Sequence, residues 1–248
     1  MITKIINSYD IQINGQLLRV VEAGEFTGSA APFNSKTLLI NEPRGNKYIN
    51  LITYRENPEN DILEITLDSS DIIDNRELLL KSFVKSLVDR KRIKEREKYS
   101  LLLDGDGLAY SNEELCSSII YEVNKNNDSY SINGKTLKIV ETELQIEVNN
   151  LTDIKALIAE IEHDFDFLVL YNKGKFISVN KNGRIIPYPV IEVISLLTGK
   201  YQGAQLTALT GDNVEIKNNK VNYKYYLVSN SQFYIDDTDI YKEGFIIK

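Results

Sequence analysis

The chain has 248 residues and a mass of 28.3 kDa, enough for one large domain or two modest ones with a buried core. Its hydrophobic, charged and aromatic fractions of 42%, 26% and 9% are those of a folded globular protein, which argues against disorder and fibrous repeats. A net charge of −7 at pH 7 repels phosphate backbones and anionic lipid, so we expect no nucleic acid and no membrane as partner.

The sequence offers few residues for metal or thiol chemistry. It contains one cysteine, Cys116, and one histidine, His163, far apart, whereas a zinc site usually draws on several such ligands. We therefore expect no metal and no cofactor, and interpret Cys116 as a buried structural thiol and His163 as a cation near a helix end. The sequence begins without an apolar signal-like segment and has no run near the ~18 residues of a spanning helix, so we expect a cytoplasmic protein.

The strongest internal pattern is a ten-residue repeat. Residues 13–22 recur as residues 132–141, about half a chain length later, with six of the ten positions identical. Each copy centres on Asn-Gly, which tolerates positive φ at both turn positions and is typical of a tight hairpin. The repeat predicts two lobes of similar plan: residues 1–125, to which strands within 225–248 return, and residues 126–224.

Short β-rich segments and apolar helical patterns follow the hairpins in chain order. In the first half the patterns predict strands at 36–40, 49–54 and 62–67, then an amphipathic helix over 74–94. In the second half they predict a helix at 154–161 capped by Thr152, strands at 167–171 and 175–179, a hairpin turn at Asn182–Gly183, a helix from Pro189 ended by Gly199, and strand again from 221. Strands followed by helices in each half predict an α+β fold.

Three segments resemble motifs of the proline racemase family. Residues 10–21 resemble the family's Asp-x-His-Thr-x-Gly-x-x-x-Arg-Val-Val, residues 42–45 match its Glu-Pro-Arg-Gly, and residues 232–245 resemble its ending Gln-Phe-x-x-Asp-x-x-Asp-Pro-aromatic-x-x-Gly-Phe. The resemblance implies the diaminopimelate-epimerase-like superfold, in which two pseudo-symmetric lobes each wrap a curved, mostly antiparallel sheet on a central helix. The resemblance implies a structural role for the matched positions Glu42, Arg44, Gly45 and Gly244.

The chain departs from the family at the catalytic positions. The family's racemases use two cysteines, one on each lobe at a helix N-terminus, where the positive helix end lowers the thiol pKa. Residues 183–193 correspond to the segment of the second cysteine, whose position falls on Val190, and Ile191 and Val193 replace glycines. The first cysteine's motif is missing as well, and an ungapped placement puts Arg76 near its position. The resemblance therefore implies no catalytic residue of the family's kind.

Loss of both thiols predicts a catalytically inactive pseudo-enzyme, and the Asn-, Ile- and Lys-rich usage suggests a bacterial source. Such a protein would bind a small amino acid or other small carboxylate, or pair as a homo-oligomer, with an active paralogue or with another protein. The residues expected to contact a ligand are Asn75, Arg76, Tyr188, Val190, Ile191 and Glu192. Two alternatives stay open: a structural subunit of a complex, and an amino-acid isomerase, epimerase or lyase whose bases would be carboxylates at the helix starts, Asp71, Asp74, Glu77 or Glu192.

Overall fold

A computed structural model describes residues 2–26, 39–40, 49–57, 59–69, 76–161, 164–211 and 213–236. Within these ranges the chain forms seventeen β-strands, three bounded α-helices besides the two helical residues Leu39 and Ile40, and three short 3-10 helices (Ala23–Phe26, Asn112–Glu114 and Val148–Asn150), which confirms the α+β class. Contacts group the chain into two compact units, Met1–Cys116 with Lys224–Lys248, and Ser117–Tyr223. Residues 117–125, which the sequence analysis assigns to the first lobe, are grouped with the second unit.

The first unit contains a mixed sheet. Its strands are β1 (Ile2–Ile13), β2 (Gln16–Glu22), β3 (Ile49–Asn57), β4 (Ile62–Ser69), β5 (Lys98–Leu103), β6 (Asp106–Ser111) and β17 (Tyr225–Asp236). In the described residues they form a seven-stranded sheet in the order β17-β1-β2-β3-β4-β5-β6, with β2–β3 and β4–β5 parallel. The predicted turn joins β1 to β2: Asn14 and Gly15 have φ of 49° and 85°, and Ile13 pairs with Gln16.

Helix α1 (Arg76–Asp89) corresponds to the helix predicted over 74–94, but it is buried on nearly all sides rather than along one stripe. Seven consecutive residues, 78–84, are buried, and a helix covered in this way lies in the core of its unit. The core also accommodates polar groups of this helix in hydrogen bonds, since the hydroxyls of Ser86 and Tyr9 lie 2.9 Å apart.

The C-terminus of α1 comes earlier than predicted because the chain turns there through a left-handed residue, Lys91, with φ of 57°. The Arg92 amide donates to the Leu87 carbonyl and the Lys91 amide to the Val88 carbonyl, both at 2.9 Å. This is the Schellman arrangement, which satisfies carbonyls at the helix end without glycine.

The strand predicted at 36–40 is wrong where the structure describes it. Leu39 and Ile40 are helical, and residues 36–38 lie outside the described residues. Both side chains are buried, at 0% and 7% exposure, and belong to a core cluster of the first unit. The apolar run therefore marked core residues correctly, but it did not distinguish strand from helix.

The second unit contains a sheet of similar plan. Its strands are β7 (Ser117–Ile119), β8 (Asn124–Asn126), β9 (Ser129–Ile132), β10 (Lys135–Glu141), β11 (Phe167–Asn172), β12 (Lys175–Asn180), β13 (Ile185–Ile186), β14 (Thr207–Ala208), β15 (Glu215–Lys217) and β16 (Lys220–Asn222). In the described residues, the main sheet has the order β13-β12-β11-β10-β9-β8, with β14 beside β12, and β15-β16-β7 form a separate sheet. Its helices are α2 (Leu151–Ala159) and α3 (Ile191–Lys200).

Three local predictions in this unit need correction. The N-cap position of α2 is Asn150, so Thr152 lies inside the helix rather than capping it. Gly199 lies within α3 rather than ending it. A hairpin does join β12 to β13, but in the pair Asn182–Gly183 only Gly183 has positive φ, so the connection is not the predicted two-residue turn.

The sequence repeat is also a structural repeat. Asn133 and Gly134 have φ of 50° and 73°, and Ile132 pairs with Lys135, as in the first hairpin. In each unit the hairpin is followed by a parallel pair and then an antiparallel pair: β1-β2-β3-β4 in the first, β9-β10-β11-β12 in the second. The two units thus share one strand plan.

Candidate functional site

The start of helix α1 borders a cavity of about 500 Å³ in the first unit. Arg76 and Glu77, the first two residues of the helix, are exposed and line it. The helix's next turn and the hairpin region around β6 supply the other lining residues, Leu80, Lys81, Asp106, Leu108, Ala109, Tyr110 and Glu114. The motif comparison puts Arg76 near the position of the family's first thiol. In this chain a guanidinium group on a concave surface therefore lies in that region.

A buried lysine and a tyrosine give this cavity its electrostatic character. Lys81 is 5% exposed, and its Nζ lies 2.6 Å from Glu77 Oε1 and 5.4 Å from the centre of the Tyr110 ring. Burial raises the pKa of Tyr110 to about 12, with the Glu77 carboxylate adding to the rise and Arg76 opposing it. The phenol therefore stays protonated near neutral pH, where it can donate a hydrogen bond to an anion.

The start of helix α3 is closed by apolar side chains. Val190 is the N-cap residue, has extended backbone and is fully buried, and its side chain offers no cap to the helix amides. Ile191 is half-buried, and Tyr188 is 7% exposed. The helix entrance that would hold the family's second thiol is thus filled by a branched hydrocarbon group.

Glu192, in the first turn of α3, is buried and turned toward the second hairpin. Its Oε1 lies 3.1 Å from Lys135 Nζ and accepts a hydrogen bond of 3.4 Å from Asn133 Nδ2. Its Oε2 is buried and has no hydrogen-bond partner among the described residues. A buried carboxylate needs such a pairing because charge is expensive to bury alone.

The single cysteine lies at neither helix start. Cys116 is half-buried in the first unit, with a left-handed backbone at φ of 62°. Burial raises the pKa of its thiol, while Ser82 and Lys85 act in the opposite direction. Ser82 lies six residues into α1, roughly 9 Å along the axis from its start. The thiol expected to be buried is therefore half-buried, and its raised pKa disfavours the thiolate.

Comparison with solved structures identifies the architecture. A probable proline racemase from Agrobacterium radiobacter K84 superposes with a TM-score of 0.52 at 12% identity, covering 98% of this chain and 96% of that one. The fold is that of proline racemase. A hydroxyproline epimerase from Agrobacterium vitis gives 0.53 at 11% identity, covering 99% and 96%, and a phenazine biosynthesis PhzF family protein from Enterococcus faecalis gives 0.53 at 10%, covering 93% and 100%. The sequence itself matches no protein-family model and no curated protein.

The proline racemase fold has two pseudo-symmetric lobes, as the resemblance implied. In this chain the two units share one strand plan, as expected for pseudo-symmetric lobes. Helices α1 and α3 follow that plan in the two units.

Several residues singled out from the sequence lie outside the described residues. They are Asn75, Asp71 and Asp74 before α1, the motif residues Glu42, Arg44, Gly45 and Gly244, and His163. Of the residues expected to contact a ligand, the structure places Arg76 in one unit and Tyr188, Val190, Ile191 and Glu192 in the other. Among the described residues, no cluster of three or more His, Cys, Asp or Glu side chains could hold a metal ion. In the same ranges, no helix has the length and apolar character needed to span a bilayer.

Sequence reasoning missed the residues that pair with the predicted carboxylates. Lys81 interrupts an apolar helical stretch four residues after Glu77, a spacing that favours an ion pair. Lys135 replaces Gln16 in the second copy of the repeat, so a new charge appears beside the hairpin turn. The signal for each residue was present, but its partner could be identified only from the fold.

Proposed function

We propose that this chain is a non-catalytic homologue with the proline racemase fold that binds a small carboxylate at the start of α1. The observation that carries the proposal is that Arg76 and the protonated Tyr110 phenol line one cavity, at a helix start without a thiol. A guanidinium and a hydroxyl are donors to a carboxylate, and neither is a base at neutral pH.

The case for inactivity rests on acid–base chemistry. Racemisation requires one group to take the α-proton and a second to return a proton on the opposite face, each with a suitable pKa. The sequence has a single cysteine, and its partly buried thiol contacts the middle of α1 rather than a helix start. At the start of α3 the corresponding position is Val190, which transfers no proton.

The case for a carboxylate ligand rests on charge and on the neighbours. The probable proline racemase from Agrobacterium radiobacter holds carbonate, and the hydroxyproline epimerase from Agrobacterium vitis holds trans-4-hydroxy-L-proline. Carbonate is an oxyanion, and hydroxyproline carries a carboxylate. A chain that keeps this fold and presents Arg76 in a cavity at the start of α1 retains the means to bind such a group without the means to react with it.

Binding is tested by calorimetric titration with proline, trans-4-hydroxy-L-proline and acetate. We expect at least one of the three to bind, and Arg76→Gln to weaken that binding roughly tenfold or more, because a charge-assisted hydrogen bond is lost. Arg55→Gln, which removes an exposed arginine of β3 paired with Glu64, is the matched control and should change nothing. Binding of none of the three, or equal loss in both variants, would contradict the proposal.

Catalysis is tested separately by deuterium exchange at Cα of the free amino acids in heavy water, followed by NMR. We expect no exchange above the rate in buffer. Exchange that disappears in Glu77→Gln or Glu192→Gln would replace the proposal with the enzyme that uses carboxylate bases. Absence of both exchange and binding would favour a protein partner or a structural subunit, which co-purification from the native host would reveal.

A further inference from the structure

A second concave surface lies at the opposite end of α1 from the candidate site. It is a cavity of about 670 Å³ in the first unit, within the range of small-molecule sites. Four adjacent strands form its floor. The pairs Asn7–Gln232 and Tyr9–Asn230 join β1 to β17, and Tyr9–Val20 and Glu22–Tyr54 continue the row across β2 and β3. Residues two apart on a strand share a face, so these side chains point to one side of the sheet.

Two arginines form the basic wall of this cavity. Both lie within the Schellman turn of α1, on either side of the left-handed Lys91, and both line the cavity. The Arg90 guanidinium lies 4.1 Å from the centre of the Tyr9 ring, and its Nη2 donates to Asn230 Oδ1 at 3.0 Å. Arg90 Nε is buried without a hydrogen-bond partner in the described part of the chain. The exposed Arg92 side chain forms no ion pair with any described residue.

Two carboxylates form the acidic side. Glu25 Oε2 accepts hydrogen bonds from the Asn7 amide at 3.0 Å and from Asn7 Nδ2 at 3.2 Å. Gln232 Nε2 donates to Asn7 Oδ1 at 3.0 Å, so the group that holds Glu25 is itself fixed. Glu22 is exposed at the end of β2, and it too has no ion pair within the described residues. The acidic side is thus built from one anchored and one available carboxylate.

The two sides face the same space. Burial raises the pKa of Tyr54, and Glu22 adds to the rise while Arg92 and Arg90 oppose it, so the phenol lies within the field of both signs of charge. The arginines and glutamates nevertheless form no ion pair with each other in the described residues. Opposite charges that share a concave surface but stay unpaired favour a ligand that carries both signs.

We propose that this cavity binds a small zwitterion of the amino-acid class. Arg90 and Arg92 bind its carboxylate, since guanidinium groups match carboxylate geometry. Glu22 and Glu25 bind its ammonium group, and the rings of Tyr9 and Tyr54 contact the hydrocarbon between them. The site is independent of the proposed function, because its residues and those at the start of α1 do not overlap.

The test is calorimetric titration of the full chain at low salt with four probes of matched size: norvaline, its isomer 5-aminopentanoate, pentanoate and butylamine. We expect one of the two zwitterions to bind at least about tenfold more tightly than both singly charged probes. The isomer that binds more tightly reports the distance between the basic and the acidic side of the cavity. Tighter binding of either isomer supports the proposal. Equal or tighter binding of pentanoate, or no binding of any probe, would overturn it.

Variants assign the binding to this cavity. Arg92→Gln and Glu22→Gln change exposed side chains, so thermal unfolding should be unaltered, and each should weaken zwitterion binding roughly ten- to hundredfold. Arg76→Gln, at the other end of α1, should leave it unchanged. Loss of zwitterion binding in Arg76→Gln with none in Arg92→Gln would overturn this inference and place the ligand at the start of α1. Loss of zwitterion binding in Arg92→Gln and Glu22→Gln, with no loss in Arg76→Gln, supports the inference. This result does not depend on whether acetate binds at the start of α1.

Discussion

Replacing Arg19 with leucine should remove about 3–5 kcal/mol from the unfolding free energy of the first unit. Arg19 is 5% exposed. Its Nε and Nη2 donate to the two carboxylate oxygens of Asp10 at 2.8 and 2.9 Å, and its Nη1 donates to the Leu39 carbonyl at 2.8 Å. The guanidinium also lies 4.6 Å from the centre of the Phe233 ring. The substitution therefore leaves a largely buried carboxylate and a buried carbonyl without these donors.

The internal repeat supplies a matched control. Lys138 occupies the position of Arg19 in the second copy, and Ser129 occupies that of Asp10, so the second unit has no equivalent ion pair. Lys138 is half-buried, with its Nζ 5.7 Å from the centre of the Phe165 ring. A cation–π contact of this kind contributes about 0.5–1 kcal/mol, so Lys138→Leu should have a much smaller effect than Arg19→Leu.

Differential scanning calorimetry measures both substitutions, because two units can unfold in separate transitions. Arg19→Leu should lower the midpoint of one transition by roughly 6–20 °C, and Lys138→Leu should move the other by a few degrees at most. The double variant Asp10→Asn/Arg19→Leu should lose less unfolding free energy than the two single variants lose in sum. The reason is that neither charge is then left buried alone. A loss below about 1 kcal/mol for Arg19→Leu, or strict additivity in the double variant, would refute the reasoning.

Two further predictions concern backbone space and pH. In denaturant unfolding, Gly174→Ala should destabilise the second unit by at least about 1 kcal/mol more than Gly183→Ala. Both glycines have positive φ, so the backbone strain is common to the two variants. A Cβ at Gly174 would lie 2.5 Å from the Gln205 carbonyl oxygen, whereas a Cβ at Gly183 would meet open space. Tyr110 has a pKa raised by burial to about 12, so its contribution to stability is complete below about pH 10 and is lost as the pH rises towards 12, where the unfolded chain ionises first. The difference in tyrosinate absorbance between the protein and Tyr110→Phe should titrate near pH 12, and a midpoint near 10 would contradict this.

The parts of the fold that the sequence predicted are those determined by short-range chemistry. The Asn14–Gly15 and Asn133–Gly134 turns follow from the ease with which these residues adopt positive φ, and they fix the register of both hairpins. The helix beginning near Arg76 follows from apolar spacing. Its burial on nearly all sides does not, because that depends on strands distant in the sequence, from which Tyr9 contacts Ser86 and Tyr54 contacts Phe83. Nor does its end, since Lys91 adopts a conformation that glycine usually supplies.

The candidate site was predictable to the same extent. The motif comparison identified Val190 as the residue at the position of the family's second thiol, and in the structure this side chain is fully buried. It also marked Glu192, but as a residue available to a ligand or as a base. The ion pair of the buried Glu192 with the half-buried Lys135 could not be anticipated, because it joins a hairpin to a helix start across a long stretch of sequence. Contacts of this kind are set by the fold rather than by local pattern.

The environment of Glu192 also weighs against the enzyme alternative. A general base must reach the substrate proton, yet Oε1 of Glu192 is bound to Lys135 and Asn133, and Oε2 is buried. Glu77 is exposed, but its Oε1 lies 2.6 Å from the buried ammonium group of Lys81, so this carboxylate is held in an ion pair within its own helix. Both carboxylates described at the helix starts are thus already engaged with lysines. An active site built on either carboxylate would first have to break its ion pair. Breaking it is unfavourable because the buried partner, Lys81 in one pair and Glu192 itself in the other, would lose its counter-charge.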